Sequence, residues 1–465
     1  MALHVLRRAL RRALRGPILL ALAALAAGAA GAAGADGAND PRWHATDPVV
    51  LVSFDGFRAD YLRRYATPNF DRVAAAGLKA NGFVPPFPSK TFPSHYSIAT
   101  GLWVERHGLV GNRFEDPVRG ERYDMSDRAA VTDGSWYGGE PIWVTAERQG
   151  MVAASYFFVG TEAAIGGVRP THWQPYDGSV PGEARVDQVL AWLAEPPETR
   201  PRLITLYFSD VDSAGHRHGP LSPEVEAAVA RVDAHLGRLL DGLRALPDGD
   251  RVTLVLVSDH GMHEWTLEDV HPIDLSALPD VRMTATGPYG ILRVAGGDPT
   301  RVAEVRAAVR AQLHPKIAVH TRADLPPALH YDAGRRSGDV IVLPPLGETV
   351  FDAADLPGEG GFTHGWDPAY PAMHGIFVAR GPRLKPNKRM AWVRAPDVYP
   401  LLCELLGLEP APNQGRMSIY RSFLLPRETL VVPADVDGGG LAEAHAAEDR
   451  AREDRPGGRG HEEEG

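Results

Sequence analysis

Three stretches of this chain are almost unbroken runs of aliphatic and aromatic residues, and each ends at an aspartate. Val49-Val50-Leu51-Val52-Ser53-Phe54 stops at Asp55-Gly56. Leu203-Ile204-Thr205-Leu206-Tyr207-Phe208 runs into Ser209-Asp210-Val211-Asp212. Val252-Thr253-Leu254-Val255-Leu256-Val257 runs into Ser258-Asp259-His260-Gly261. A strand without polar alternation is stable only where both faces are covered, which is the environment of a central parallel strand. Carboxylates just past the C-terminal ends of such strands lie along one edge of the sheet, where open α/β sheets bind their ligands.

Between the runs lie amphipathic segments at helical spacing, over residues 68–77, 142–149, 183–193, 223–246 and 396–406. The fold class expected is therefore α/β, with a mostly parallel central sheet flanked by helices. From about residue 278 to 346 the pattern changes to short strands (289–294, 317–321, 339–343) bracketing one helix (300–313), which predicts a small α+β lobe inserted into the main domain. With 465 residues, 44% hydrophobic and 23% charged, a large core is affordable. The net charge is −10 and no basic stripe is present, which disfavours a nucleic-acid polymer groove.

The ends carry other signals. Arg7, Arg8, Arg11, Arg12 and Arg15 precede an apolar stretch over residues 17–33 and an Ala33-Gly34-Ala35 site. Residues 1–35 are expected to be a secretory signal peptide cut after Ala35, making the mature protein secreted or periplasmic, with no stable membrane insertion. Residues 36–47 follow as a polar linker, 48–425 as the catalytic domain, and 426–465 as a disordered acidic tail. Cys403 is the single cysteine, which excludes an intramolecular disulfide, and its apolar surroundings suit a buried small hydrophobe.

Two further stretches carry chemistry. Ser89-Lys90-Thr91-Phe92-Pro93-Ser94-His95 places a hydroxyl before a helical run, where the helix dipole and free N–H groups favour an alkoxide or a phosphate. Most threonines so placed are only caps. Asn112, in a glycine-flanked loop, is a turn residue or a donor to a developing oxyanion. The group Asp210, Asp212, His216 and His218 packs four acidic or imidazole side chains into nine residues. With Asp55, Asp259, His260 and His364 at other strand ends, the mixed carboxylate and imidazole donors suit two Zn²⁺ ions arranged for in-line phosphoryl transfer, one of them activating Thr91.

In this combination the chain resembles the nucleotide pyrophosphatase/phosphodiesterase family of the alkaline phosphatase superfamily, as a bacterial-type secreted member. The resemblance covers roughly residues 48–424. It is carried by Ser53-Phe54-Asp55-Gly56-Phe57-Arg58, Lys90-Thr91-Phe92-Pro93-Ser94-His95-Tyr96, His107-Gly108-Leu109-Val110-Gly111-Asn112, Asp212-Ser213-Ala214-Gly215-His216, Ser258-Asp259-His260-Gly261-Met262 and His364-Gly365-Trp366-Asp367. It implies an alkaline-phosphatase-like core. It implies one Zn²⁺ on Asp212, His216 and His364, and a second on Asp55, Asp259 and His260, with Thr91 as ligand and nucleophile. His218, His263 and His374 match no ligand position, and Asp210 is left as a neighbour of the cluster.

The implied reaction is hydrolysis of nucleotide phosphodiester or pyrophosphate bonds to nucleoside 5′-monophosphates through a nucleotidyl-threonine intermediate. Phe92 and Tyr176 match positions that stack on a base. Phe158 stands where many nucleotide-cleaving members carry Trp, and Val159 where they carry Pro. The expected partners are small nucleotides or phosphodiesters. The alternative is a lipid-headgroup, choline-type phosphodiesterase of the same family.

Overall fold

The computed structural model describes residues 37–426. The expected signal peptide and the expected acidic tail lie outside the described residues, apart from Pro426. Among the described residues no helix is long and apolar enough to cross a membrane.

Eight strands form the main sheet. In chain order they are β1 (Val49–Phe54), β2 (Leu78–Val84), β3 (Ala153–Tyr156), β4 (His172–Trp173), β5 (Leu203–Phe208), β6 (Thr253–Val257), β7 (Phe377–Arg380) and β8 (Lys388–Arg394). Their spatial order is β8-β2-β7-β6-β1-β5-β3-β4. All pairs are parallel except those of β7, which runs antiparallel to both β6 and β2. The apolar runs are the three central strands: β1 lies between β5 and β6, and every residue of β1 is buried. This is the mostly parallel, helix-flanked sheet that the apolar runs call for.

The register aligns the ends that matter. Ser53 pairs with Tyr207 on one side and Val257 on the other, so Asp55, Ser209 and Asp259 leave the sheet at one edge. One face of the sheet packs against helices α1 (Pro68–Ala75), α4 (Gly182–Leu193) and α6 (Pro223–Ala245) through Val73, Val189, Val229 and Leu236. The other packs against α2 (Thr91–Thr100), α3 (Ile142–Arg148) and α8 (Val398–Leu406) through Ile98, Trp143 and Leu401. Cys403 lies inside that second layer, and burial pushes its thiol up to about 12, which leaves it inert at neutral pH.

A separate four-stranded antiparallel sheet (Val281–Ala285, Gly290–Val294, Val340–Leu343, Ala318–Thr321, in spatial order) packs on helix α7 (Pro299–Gln312). Its core, with Leu292, Val305, Val309 and Val342, is its own. Two local elements are not signalled by the apolar runs. Residues 210–218, directly after a buried strand, form helix α5 (Asp210–His218). Ahead of His364 lies a short strand, Gly361–Thr363, paired with His263–Trp265.

Candidate active site

Thr91 is the first residue of α2, and Lys90, its N-cap residue, offers no side-chain cap. The capping is supplied from another segment: Asn112 Oδ1 accepts the Phe92 N–H at 2.9 Å. Pro93 has no N–H to satisfy. Asn112 is therefore tied to the first turn of the helix that carries Thr91. With its Oδ1 end so engaged, its NH₂ end is the one left to donate.

The six other residues read as a cluster with Thr91 gather into two groups beside it. Two groups can each hold a cation, with the donor atoms of each within 4.8 Å of one another: Asp55, Asp259 and His260, and Asp212, His216 and His364. Thr91 Oγ1 lies 3.2 Å from His260 Nε2. Asp55 and Asp259 follow β1 and β6 directly. Asp212 and His216 are one turn apart on α5, which puts both side chains on one helix face. His364 follows the strand Gly361–Thr363.

All three imidazoles are oriented in the same way. Nδ1 lies 2.8 Å from Phe362 O in His216, 2.9 Å from Gly261 O in His260 and 2.8 Å from Ser89 O in His364. A carbonyl can only accept, so each Nδ1 carries the proton and each Nε2 presents its lone pair to the centre. Nε2 of His260 lies 3.0 Å from Asp259 and 3.4 Å from Asp55, and that of His216 lies 3.4 Å from Asp212.

The carboxylates are held just as tightly. Tyr207, inside β5, donates its hydroxyl to Asp55 Oδ2 at 2.5 Å, and the Gly56 N–H donates to Asp259 Oδ1 at 3.1 Å. The Asp212 N–H donates to Asp55 O at 3.0 Å. Gly56 has φ +68°, and a Cβ there would meet Asp212 Cα at 2.7 Å, so only glycine allows this approach.

Three carboxylate oxygens are nevertheless buried without a hydrogen-bond partner: Asp55 Oδ1, Asp212 Oδ1 and Asp259 Oδ2. Burial, then the neighbouring carboxylates, hold Asp55 and Asp259 well above the usual carboxylate range. Burial also lowers His260 and drives His364 well below the usual range, with His260 and Lys90 adding to the fall at His364. Orphaned acceptors, ionisation disfavoured by crowding, and aligned imidazole lone pairs are what divalent cations would relieve. The donor set therefore fits two cations, with the hard and borderline ligands that Zn²⁺ takes.

Beside the cluster is a cleft of about 300 Å³ bordered by Phe92, Phe157, Phe158 and Tyr176. Tyr176 is 46% exposed, with its hydroxyl 3.5 Å from Ser209 Oγ. The Phe158 ring packs edge-on against His95 and Trp143 and is buried. Phe157 stands against Tyr176 and holds a left-handed backbone, φ 63°. Of the remaining candidates, Asp210 is paired with Arg231 at 2.8 Å. His374 bonds the Pro368 carbonyl, and His263 packs against Trp366. His107 is a structural residue, with Nε2 2.9 Å from Ser97 Oγ and Nδ1 accepting the Leu109 N–H.

Sequence reasoning assigned no role to Tyr207, His95 or Lys90. His95 bonds the Thr91 carbonyl through Nδ1 and Ser53 Oγ through Nε2, joining α2 to β1. Lys90 Nζ lies 3.4 Å from Thr363 Oγ1, and burial lowers its ammonium to about 8, partly offset by Asp212. The available signal was a phenol, an imidazole and a lysine inside or beside the motifs already noted.

Comparison with known proteins defines the class. Residues 49–367 match the family model described as Type I phosphodiesterase / nucleotide pyrophosphatase, and the chain belongs to that family. It is 34% identical over 390 residues to mouse ectonucleotide pyrophosphatase/phosphodiesterase family member 1, covering 81% of this chain and 42% of that one. It is 35% identical to the venom phosphodiesterase CdcPDE of Crotalus durissus collilineatus, over 81% and 46% of the two chains. The chain thus spans less than half the length of these relatives. Human ectonucleotide pyrophosphatase / phosphodiesterase 5 superposes with a TM-score of 0.75 at 31% identity, covering 81% of this chain and 99% of that chain.

Proposed function

We propose that this chain hydrolyses nucleotide phosphodiester and pyrophosphate bonds to nucleoside 5′-monophosphates through a nucleotidyl-threonine intermediate. The observation that carries the proposal is the position of Thr91: its hydroxyl stands at a helix N-terminus, 3.2 Å from His260 Nε2, beside two sets of carboxylate and imidazole donors. A murine phosphodiesterase 5 inactivated by a threonine-to-alanine substitution has been solved in complex with AMP, which supports both the nucleophile and the ligand class. The named relatives are nucleotide pyrophosphatases and phosphodiesterases, which favours nucleotides over the lipid-headgroup alternative.

Asp212, His216 and His364 would hold one Zn²⁺, and Asp55, Asp259 and His260 the other. Such a pair supplies positive charge that acidifies a neighbouring hydroxyl and neutralises phosphoryl oxygens. The Thr91 hydroxyl, so acidified, releases its proton to solvent, and its oxygen attacks phosphorus. A bond forms between Oγ1 and phosphorus, and the bond to the leaving oxygen breaks. The Asn112 NH₂ group donates to a non-bridging oxygen. Phe92 and Tyr176 hold the base by stacking, which tolerates any base. In the second step water attacks phosphorus from the opposite side. The Thr91–phosphorus bond breaks, and the proton released by water returns to the threonine.

The test is Thr91→Ala assayed on the nitrophenyl ester of thymidine monophosphate. A loss of at least ~10³-fold in kcat with nucleoside monophosphate binding retained is expected, as for removal of a nucleophile. Full activity in the variant would refute the proposal.

A further inference from the structure

A second cavity, of about 480 Å³, opens at the sheet edge opposite the catalytic cleft. Arg380 ends β7 and pairs with Leu254 near the start of β6, about five residues or ~17 Å along the strand from Asp259. Ala76, Leu246 and Pro247 line it with accessible apolar surface, Arg72, Arg244 and Arg380 supply three guanidinium groups, and Asp250 adds a carboxylate.

Two of these arginines have local explanations. Arg72 and Arg244 lie in the last turns of α1 and α6, where the helix dipole favours cations. Both also reach Asp241, each at 3.4 Å. Arg380 has no such explanation. Its side chain projects from a strand, makes no hydrogen bond or ion pair among the described residues, and has a buried Nε without a partner. Burial lowers it, and Arg244 and Arg72 lower it further, while Asp250 is the one carboxylate that opposes them. Asp241 is shared by Arg72 and Arg244, and Asp250 lines the cavity, so three guanidinium groups face two carboxylates and the side chain left without a partner is that of Arg380, an arrangement that favours an added anion.

We propose that this cavity is a second ligand site, distinct from the catalytic cleft, for a small molecule bearing a phosphate or carboxylate on a short hydrocarbon body. Arg380 grips the oxyanion bidentately, as a planar guanidinium does, with Arg244 and Arg72 beside it. Ala76, Leu246 and Pro247 border the hydrocarbon. The cavity's size is that of a small-molecule site.

The test reads the site itself, independently of hydrolysis. Zinc-loaded protein is treated with phenylglyoxal, and modification of Arg380 is followed by peptide mass spectrometry with butyl phosphate, pentanoate or inorganic phosphate present. The expected result is about fivefold slower modification of Arg380 at a butyl phosphate concentration about four times a Kd of ~1 mM. Protection by pentanoate as well assigns a general oxyanion site, and protection by the phosphates alone assigns a phosphate site. Arg244→Gln, on the exposed rim, weakens the protection, and Arg380→Gln removes one equivalent of bound butyl phosphate with hydrolysis of the nucleotide ester unchanged. Equal modification rates with and without all three ligands would overturn the proposal, whether or not Arg380→Gln folds.

Discussion

The Tyr207 hydroxyl donates to Asp55 Oδ2 across 2.5 Å, from the interior of one central strand to the end of the next. Burial and the Asp55 carboxylate hold the phenol well above its ordinary range, so it stays protonated and can only donate to Asp55. The bond fixes which oxygen of Asp55 faces the cluster. Tyr207→Phe is expected to lower metal affinity or kcat about tenfold, the usual effect of losing such a support. Chelator competition on the purified variant measures the first and the nucleotide ester assay the second.

Tyr176 is exposed on the cleft wall and touches none of the ligand groups directly. Tyr176→Ala is expected to raise KM for the nitrophenyl ester of thymidine monophosphate about tenfold or more, since stacking on one base contributes ~1–3 kcal/mol. The rate on nitrophenyl phosphate, which has no base, should not change. Equal losses on both substrates would remove Tyr176 from the base slot.

Gly56 lies between the two donor groups. In Gly56→Ala the new Cβ would meet Asp212 backbone at 2.7 Å and the left-handed φ would be strained. The strain alone costs about 1–2 kcal/mol. Both cation sites should weaken together, seen as loss of two bound zinc equivalents in one step by atomic absorption after dialysis.

Burial lowers His107 to about 3 and His95 to about 3 in the folded chain, against 6.5 for the free side chain. Between those limits the unfolded chain binds the protons that the folded chain refuses. Stability therefore rises with pH through this window and is lost as pH falls below about 6.5. Urea unfolding between pH 6.5 and 4.5 should show this loss. His107→Gln, at a side chain bonded to Ser97 and Leu109 and to none of the donor groups, should reduce the slope by about one proton, or ~1.4 kcal/mol per pH unit.

Much of the sheet was legible because its central strands are covered on both faces and so lack polar alternation. Asp55 and Asp259 were legible for the same reason, as the first acids after those runs. The Asp212–His216 segment was legible as chemistry but not as structure. Its acids and histidines suggest a loop, whereas four-residue spacing on α5 is what aligns them. His364 was placed by a motif, with no strand pattern before it. The carbonyls of Ser89, Gly261 and Phe362 left no trace in the sequence, because any residue supplies a carbonyl. Nor did Tyr207, whose partner is 152 residues away. Phe158 was read as a base-slot residue; its ring leans on His95 and Trp143, and its neighbour Phe157 stands against Tyr176.

The three imidazoles hang from carbonyls of three different segments, so their aim is set by main chain that the sheet and α2 already hold in place. Loading such a centre requires little chain rearrangement. Ions that accept imidazole would find the same geometry each time, while magnesium, a hard ion that takes octahedral oxygen ligands, would be disfavoured by the three imidazole donors.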